Sequence, residues 1–330
     1  MKQIKLAVVG ASGMVGRTFV NILEEKNLPV SEYVFFASKR SAGSTIQFKG
    51  KDYIIEELTE TSFDRGFDIA LFSAGGDTSK IFAPIAASKG CMVIDNSSCW
   101  RMDPDVPLVV PEVNPEEIKN CRKGIIANPN CSTIQAVVAL KPLLDKYGIK
   151  RIVYSTYQAV SGAGMSGYTD LQDGLKGIAP KKFPHPIAGN CLPHIDVFTE
   201  SGYTKEELKM VDETRKILGA PELRVTATTV RVPVFDSHSE SINVEFEKPF
   251  ELVDVVSLFE NAPGIVVQNN VANNEYPMAV TAAGRDEVFV GRIRRDFSVD
   301  NGLNLWVVAD NIRKGAALNA VQIAELMLKD

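Results

Sequence analysis

The chain has 330 residues, 45% hydrophobic and 23% charged, with a formal net charge of −5. That length suits two globular domains, and so mild an acidity gives no reason to expect nucleic acid or an anionic membrane surface as partner. No stretch approaches the roughly 18 uninterrupted apolar residues of a membrane span, and the five cysteines are odd in number, scattered and without Cys-x-x-Cys spacing, which argues against a disulfide framework or a zinc site and for reduced thiols.

Residues 4–9 read as a buried parallel strand, entered almost at once and without signal-peptide anatomy, as expected of a cytoplasmic protein. Gly10-Ala11-Ser12-Gly13-Met14-Val15-Gly16 follows, then a helix to about residue 26. Strand, glycine turn and helix in that order let the backbone approach a pyrophosphate, which then sits on the helix N-terminus. A tight turn with close helix packing and no ligand is the plainer alternative. The second strand, 33–37, ends in Ser38-Lys39-Arg40-Ser41. An NAD-preferring fold puts an acidic residue there; here Arg40 pairs naturally with a 2′-phosphate, with Ser38 and Ser41 as further donors, unless the segment is only a solvated loop.

A third strand, 68–72, carries Ser73-Ala74-Gly75-Gly76-Asp77 at its C-terminal end, where open α/β sheets bind ligands. A helix over about 78–89 and a strand over 92–95 continue a βαβ rhythm. That rhythm predicts a Rossmann-like, doubly wound parallel sheet with helices on both faces. Arg101, in the serine-rich loop after the 92–95 strand, is either an anion clamp or a surface ion-pair partner.

The next apolar run, 124–127, leads into Asn128-Pro129-Asn130-Cys131-Ser132-Thr133, and a helical run, 134–140, leads out. A cysteine thus stands where a strand turns into a helix. Free backbone N–H groups and the positive helix end would favour its thiolate, and the same N–H groups would hold an oxyanion. A small thiol that merely packs there is the alternative.

The second half changes character. Residues 151–160 alternate like a long strand, followed by a Gly- and Pro-rich loop to about 193. Thr204-Lys205-Glu206-Glu207 is a capping box that starts a helix to about 218. Glu213 and Lys216 share a face of that helix, most simply as a solvated ion pair. Strand-like runs follow at 224–232, 238–246, 278–280, 288–290 and 303–308, with a polar loop at 269–274. The cluster Arg292-Ile293-Arg294-Arg295 suits a solvated strand face or a subunit contact. A terminal helix, 312–330, bears a stripe (Ala317, Ala320, Val321, Ala324, Leu328) suited to packing on the first domain.

A nicotinamide cofactor and an activated cysteine together suggest aldehyde–acyl redox through a thioester. That chemistry needs a base near neutral pKa, and three histidines are available. His185 and His194 lie in the irregular region, whereas His238 opens a strand among serines, seven residues after Arg231. His238 is the better base, against the alternative of a strand-end histidine bonded to a backbone carbonyl.

Taken in order, the glycine turn, Asp95-Asn96-Ser97-Ser98, Asn128-Pro129-Asn130-Cys131-Ser132-Thr133, Ser155-Thr156-Tyr157-Gln158-Ala159-Val160-Ser161-Gly162-Ala163-Gly164, Arg231-Val232-Pro233-Val234 and His238-Ser239-Glu240 match one family. Over essentially its full length the sequence resembles aspartate-semialdehyde dehydrogenase of the bacterial type. The resemblance implies NADP-dependent reductive dephosphorylation of L-aspartyl-4-phosphate to L-aspartate 4-semialdehyde, a step toward lysine (through diaminopimelate), threonine and methionine. It implies Cys131 as nucleophile, His238 as acid/base, and Gln158 orienting the substrate. Arg231 would pair with the substrate α-carboxylate and Arg101 and Lys216 would hold phosphate. Glu213 would face the amino group or stabilise the neighbouring cations, and Asn130 would belong to the same substrate site. Gly10, Ser12, Gly13, Met14, Val15, Ser38, Arg40, Ser41, Ser73, Ser161, Gly162 and Asn311 would contact the cofactor, with no metal. The implied fold joins a Rossmann domain, 1–130 completed by the terminal helix, to an α+β domain with a mixed sheet, 131–311. The second domain would carry catalysis and the contact of a homodimer, with a tetramer as the alternative assembly.

The nearest rival is N-acetyl-γ-glutamyl-phosphate reductase, whose expected cysteine context, Asn-Pro-Gly-Cys-Tyr, differs from Asn-Pro-Asn-Cys-Ser here. A non-redox thiol acyltransferase or hydrolase and a nucleotide-sensing regulator are more distant alternatives.

Overall fold

The computed structural model describes residues 3–329; Met1 and Lys2, ahead of the first strand, and Asp330, at the end of the expected terminal helix, lie outside the described residues. The chain divides into two compact units, Met1–Pro129 with Ala316–Asp330, and Asn130–Gly315.

In the first unit β1 (Ile4–Val9), α1 (Met14–Glu25) and β2 (Val30–Ala37) form the opening βαβ turn. A hairpin of β3 (Thr45–Phe48) and β4 (Lys51–Ile54) follows, then the short β5 (Glu56–Glu57). The alternation resumes with β6 (Ile69–Phe72), α2 (Gly76–Ser88), β7 (Met92–Asp95) and β8 (Ile125–Ala127). The sheet order is β5-β2-β1-β6-β7-β8, and every pairing is parallel. Strands covered on both faces read as continuous apolar runs, and Leu6, Ala7, Val8 and Val9 are fully buried. The β3–β4 hairpin escaped the sequence reading. Its turn puts both Lys49 and Gly50 at positive φ, a geometry usually announced by Asn-Gly and disguised here by a lysine.

The second unit begins with α3 (Cys131–Tyr147), β9 (Ile149–Gln158), α4 (Gly164–Gly174) and α5 (Lys205–Ile217). β10 (Arg224–Arg231), β11 (His238–Phe246), α6 (Leu252–Glu260) and β12 (Ile265–Val267) follow. α7 (Ala279–Ala282), β13 (Val288–Asp296) and β14 (Gly302–Ala309) complete it. The sheet is mixed, in the order β10-β9-β11-β14-β13-β12. Helices α3, α5 and α6 pack against it. In β11 the residues His238, Glu240, Ile242, Val244 and Phe246 are buried, and the alternate positions Ser241, Asn243 and Glu245 are only half-buried.

Three expectations need correction. Residues 278–280 are not a strand: α7 forms instead, because Pro277 presets the entry and the alanines at 279, 282 and 283 favour a helical turn that Gly284 ends. Residues 161–193 are not all loop, since they contain a 3-10 turn (Val160–Ala163) and α4. The glycines of α4 hid the helix, yet Gly167 is demanded by packing, because a Cβ there would stand 2.6 Å from Val160 O. The terminal helix is not one regular helix. Arg313–Leu318 is a π-helical turn, with Gly315 N–H donating to Asp310 O, before α8 (Asn319–Met327) begins. Ala317, Ala320, Val321 and Ala324 are buried in the core of the first unit beside Leu6, Phe19 and Ile22.

Candidate active site

Sheet register gathers the second unit's polar residues at one level. Arg231 pairs with Gln158 across the parallel β10–β9 ladder. Ser239 pairs with Tyr157 across β11–β9, so His238 stands one step further, beside Gln158. All three side chains are on the buried side, with 5, 1 and 0% exposure for Arg231, Gln158 and His238. Cys131 is the first residue of α3, the helix packed on that face.

Cys131 Sγ lies 3.2 Å from His238 Nε2. Of the other two histidines, His185 is exposed and His194 stacks on Phe198. Burial, and secondarily the charge of Arg231, hold the His238 pKa well below the usual 6.5, so the ring is neutral at working pH. The helix N-terminus differs from expectation in one respect. Asn130 is the N-cap, and its Oδ1 accepts from Ser132 N–H (2.9 Å) and Thr133 N–H (3.3 Å). Those two donors are therefore engaged in capping and are not open to an oxyanion; the positive helix end remains.

The carboxylate that reaches Gln158 was missed in the sequence. Glu206 Oε1 accepts from Gln158 Nε2 (3.1 Å) and Asn130 Nδ2 (2.9 Å), and its Oε2 accepts from Lys209 Nζ (3.1 Å). Burial raises the Glu206 pKa, but the Lys209 charge and these donors outweigh it, and the group titrates below the ordinary glutamate range. Lys209 also donates to Asp196 Oδ2 at 2.8 Å. Only the capping box marked Glu206 in the sequence. What makes it part of the cluster is a fold-level meeting of α5 with β9, which local spacing does not reveal. Glu213 does belong nearby, since its Oε2 accepts from the Asn130 backbone N–H at 2.7 Å. Lys216 is half-buried near the far end of α5, about 15 Å along the helix from Glu206 at 1.5 Å per residue.

Arg231 Nη1 donates to Ala159 O at 2.6 Å. Burial lowers its pKa, and Glu206 and the Cys131 sulfur oppose that shift by attraction. Gly162 lies against it: a Cβ there would fall 2.9 Å from Arg231 Nη1 and 3.3 Å from His238 Nε2, so a larger residue would have to push the guanidinium aside. Ser161 and Asn311 meet through Asn311 Nδ2 donating to Ser161 Oγ (3.1 Å). Asn311 Oδ1 also accepts from Ser237 N–H (2.9 Å), which pins Ser237 at φ 73° immediately before His238. Gly315 is a further residue that motif reading passed over. A Cβ there would stand 2.9 Å from Cys131 Cβ, so the π-helical turn approaches the thiol residue at backbone distance.

The first unit offers a separate cleft of about 460 Å³, with Gly10, Ser12, Gly13, Ser38 and Ser73 in its walls. Gly10 is held at φ 86°, where a Cβ would meet Ser73 O at 2.3 Å. Met14 and Val15 open α1, whose first turn has no side-chain cap and no acidic residue. A pyrophosphate fits such an end, because the first-turn N–H groups and helix dipole favour an anion. Arg40 is exposed and Ser41 half-buried in the turn after β2, and residues 38–44 contain no carboxylate. Arg101 is buried in this same unit, donating from Nε to Asn128 O (2.9 Å) and from Nη2 to Asn96 O (3.0 Å).

Two family models match the chain: semialdehyde dehydrogenase, NAD binding domain, over residues 5–121, and semialdehyde dehydrogenase, dimerisation domain, over residues 140–314. A relative from Aquifex aeolicus (strain VF5), called aspartate-semialdehyde dehydrogenase, is 61% identical over 99% of this chain and 98% of its own length. The crystal structure of aspartate semialdehyde dehydrogenase II from Vibrio cholerae complexed with ASA is 49% identical. It covers 100% of this chain and 99% of its own, with a TM-score of 0.96. A Candida albicans aspartate semialdehyde dehydrogenase solved with NADP is 27% identical, covers 99% of both chains and has a TM-score of 0.79.

Proposed function

Because the chain belongs to the aspartate-semialdehyde dehydrogenase family, we propose that it reduces L-aspartyl-4-phosphate to L-aspartate 4-semialdehyde with NADPH, through an acyl-thioester on Cys131. The observation that carries this reading is the 3.2 Å approach of Cys131 Sγ to His238 Nε2 at the start of α3. The thiolate adds to the acyl carbon, the bond from that carbon to the phosphate oxygen breaks, and phosphate leaves. NADPH, when bound, supplies a hydride to the acyl carbon. Breaking the C–S bond then releases the semialdehyde and restores the sulfur. His238 is the acid/base partner at the acyl oxygen, and Gln158 fixes the acyl group beside the sulfur. Arg231, buried and attracted by Glu206 and the Cys131 sulfur, takes the α-carboxylate in a bidentate pair.

Glu206, which hydrogen bonds join to Gln158 and Asn130 and which pairs with Lys209, adds a further charged group to the Glu213 and Lys216 site. In this reading Glu213, which also accepts from the Asn130 backbone N–H, faces the substrate amino group or steadies the neighbouring cations, and Lys216, one turn further along α5, holds phosphate. Arg101 holds phosphate. Residues 1–130 with 312–330 hold NADP. Gly10, Ser12, Gly13, Met14, Val15 and Ser73 serve its pyrophosphate end, Ser38, Arg40 and Ser41 its 2′-phosphate, and Ser161, Gly162 and Asn311 its nicotinamide end. Residues 131–311 carry catalysis and dimerisation. A second copy covers the mixed sheet where Tyr276, Met278, Arg292, Arg294 and Trp306 border a depression of about 510 Å³. The reaction belongs to cytoplasmic synthesis of lysine, threonine and methionine.

The test is NADP reduction with aspartate semialdehyde, with and without inorganic phosphate. Reduction that requires phosphate supports the reading. A folded protein inactive with this aldehyde but active with N-acetylglutamate semialdehyde would reassign the substrate.

A further inference from the structure

His238 has two ring nitrogens, and only one of them faces the thiol. The other, Nδ1, receives the backbone N–H of Ala159 at 3.0 Å. An imidazole nitrogen that accepts a hydrogen bond carries no proton of its own. In a neutral ring the proton must then sit on Nε2, pointing at Cys131 Sγ. A thiol donating S–H to Nε2 would need the opposite tautomer, which sets Nδ1–H against Ala159 N–H. Turning the ring over does not relieve this, because a carbon would then face the Ala159 donor.

The donor is itself immobilised. The peptide unit joining Gln158 to Ala159 is tied at its other end, where Gln158 O accepts from Val232 N–H at 3.0 Å. Ala159 O accepts from Arg231 Nη1, and the next residue, Val160, donates to Val234 O at 2.8 Å. Rotating this peptide would break a bond on each side of it.

We propose that the Ala159 peptide is a positioning group that locks His238 in the Nε2–H tautomer, so that the ring donates to the Cys131 sulfur rather than receiving its proton. The inference rests on the reading of Cys131 and His238 as a reacting pair, and deepens it. The counter-charge of the Cys131 thiolate is then Arg231 and the N-terminal end of α3, not an imidazolium. The other ionisable groups around the pair are Glu206, Lys209 and Glu213 from α5 and Glu240, which burial holds neutral, from β11. None of them reverses the hydrogen-bond direction at Nδ1. The ring therefore meets the acyl oxygen of a bound substrate as a hydrogen-bond donor, a narrower part than full acid/base exchange, because loss of the Nε2 proton from a neutral ring would leave an imidazolate.

Nitrogen-15 NMR of protein labelled at histidine tests this without turnover. Three histidines give three ring-nitrogen pairs, and the His238→Gln variant identifies the pair belonging to His238. The expected spectrum has an unprotonated, hydrogen-bonded Nδ1 and a protonated Nε2, at a pH where iodoacetamide shows Cys131 to be thiolate. In Cys131→Ala the same tautomer persists, because the Ala159 peptide and not the sulfur sets it. An imidazolium beside the thiolate, a protonated Nδ1 in the neutral ring, or a tautomer that switches when the sulfur is removed would overturn the proposal. If the tautomer is as expected but phosphate-dependent reduction fails, the substrate reading fails and the lock stands.

Discussion

Two buried ionisable side chains on one strand face, His238 and Glu240, set opposite demands on pH. Burial lowers the His238 pKa well below 6.5 and raises that of Glu240 well above 4.5, the latter shift only partly countered by the Gln135 amide. The Gln135 amide is near enough to act on Glu240, yet among the described residues neither Glu240 oxygen nor Gln135 Oε1 makes a hydrogen bond of good geometry. The sign follows from linkage. As pH rises above 4.5 the unfolded chain releases the Glu240 proton that the native state retains, and stability falls. As pH drops below 6.5 the unfolded chain takes the His238 proton that the native state refuses, and stability falls again. Glu240→Gln therefore removes the alkaline-side loss. It is expected to raise the thermal midpoint at pH 7.5 by roughly 1–2 °C, the scale of about 1 kcal/mol at this size, with little gain at pH 4. Calorimetry at the two pH values checks it; an equal shift at both would mean Glu240 is not held neutral. At this scale local patterns marked Cys131 and His238, a cysteine at a strand–helix junction and a histidine at a strand start, but left a packed thiol and a carbonyl-bonded histidine open until the resemblance was added. Glu206 was not so marked, because a capping box explains it locally and only the meeting of α5 with β9 turns it toward Gln158.

Elements follow the same logic of local and non-local cause. The parallel strands of the first unit are uninterrupted apolar runs, so the sequence marks them well. α4 and α7 were obscured by glycines and by Pro277, whose roles are packing and entry geometry. The π-helical turn carries no sequence mark at all. It exists because Asp310 Oδ1 caps Ile312 N–H and Arg313 N–H while Gly315 N–H reaches Asp310 O, which adds one residue to the turn. The consequence is the contact of Gly315 with Cys131. Gly315→Ala introduces a Cβ at 2.9 Å from Cys131 Cβ and must displace α3 or the turn. The expected effect is a loss of kcat of roughly a hundredfold, the usual result of a misplacement near 1 Å, with NADP affinity retained. Stopped-flow kinetics and a cofactor titration separate the two; unchanged kcat would show that the approach is slack.

At the scale of the molecule, labour divides along the chain. The glycine turn and the Ser38–Ser41 segment lie in the first unit, and the thiol, the imidazole, Gln158 and Arg231 lie in the second. The α/β rhythm announced the first; the second was legible chiefly through its resemblance to a known family, since a mixed sheet joins strands distant in sequence. The division predicts that cofactor choice and chemistry are separable by mutation. Arg40→Ala is expected to lower the preference for NADP over NAD by about tenfold or more, the loss of one charge-assisted phosphate contact worth about 1.4 kcal/mol. The rate with saturating cofactor should stay close to wild type. Specificity constants for the two cofactors decide the matter, and an unchanged ratio would remove Arg40 from the 2′-phosphate site.

The thioester on Cys131 is the claim on which the rest depends. Protein mixed with aspartate semialdehyde and NADP, without phosphate, and quenched in acid should carry an aspartyl adduct on the peptide containing Cys131, detected by mass spectrometry. Phosphate should discharge it, and Cys131→Ser should carry none while still binding NADP. An adduct on another of the five cysteines, or full turnover in Cys131→Ser, would contradict the account.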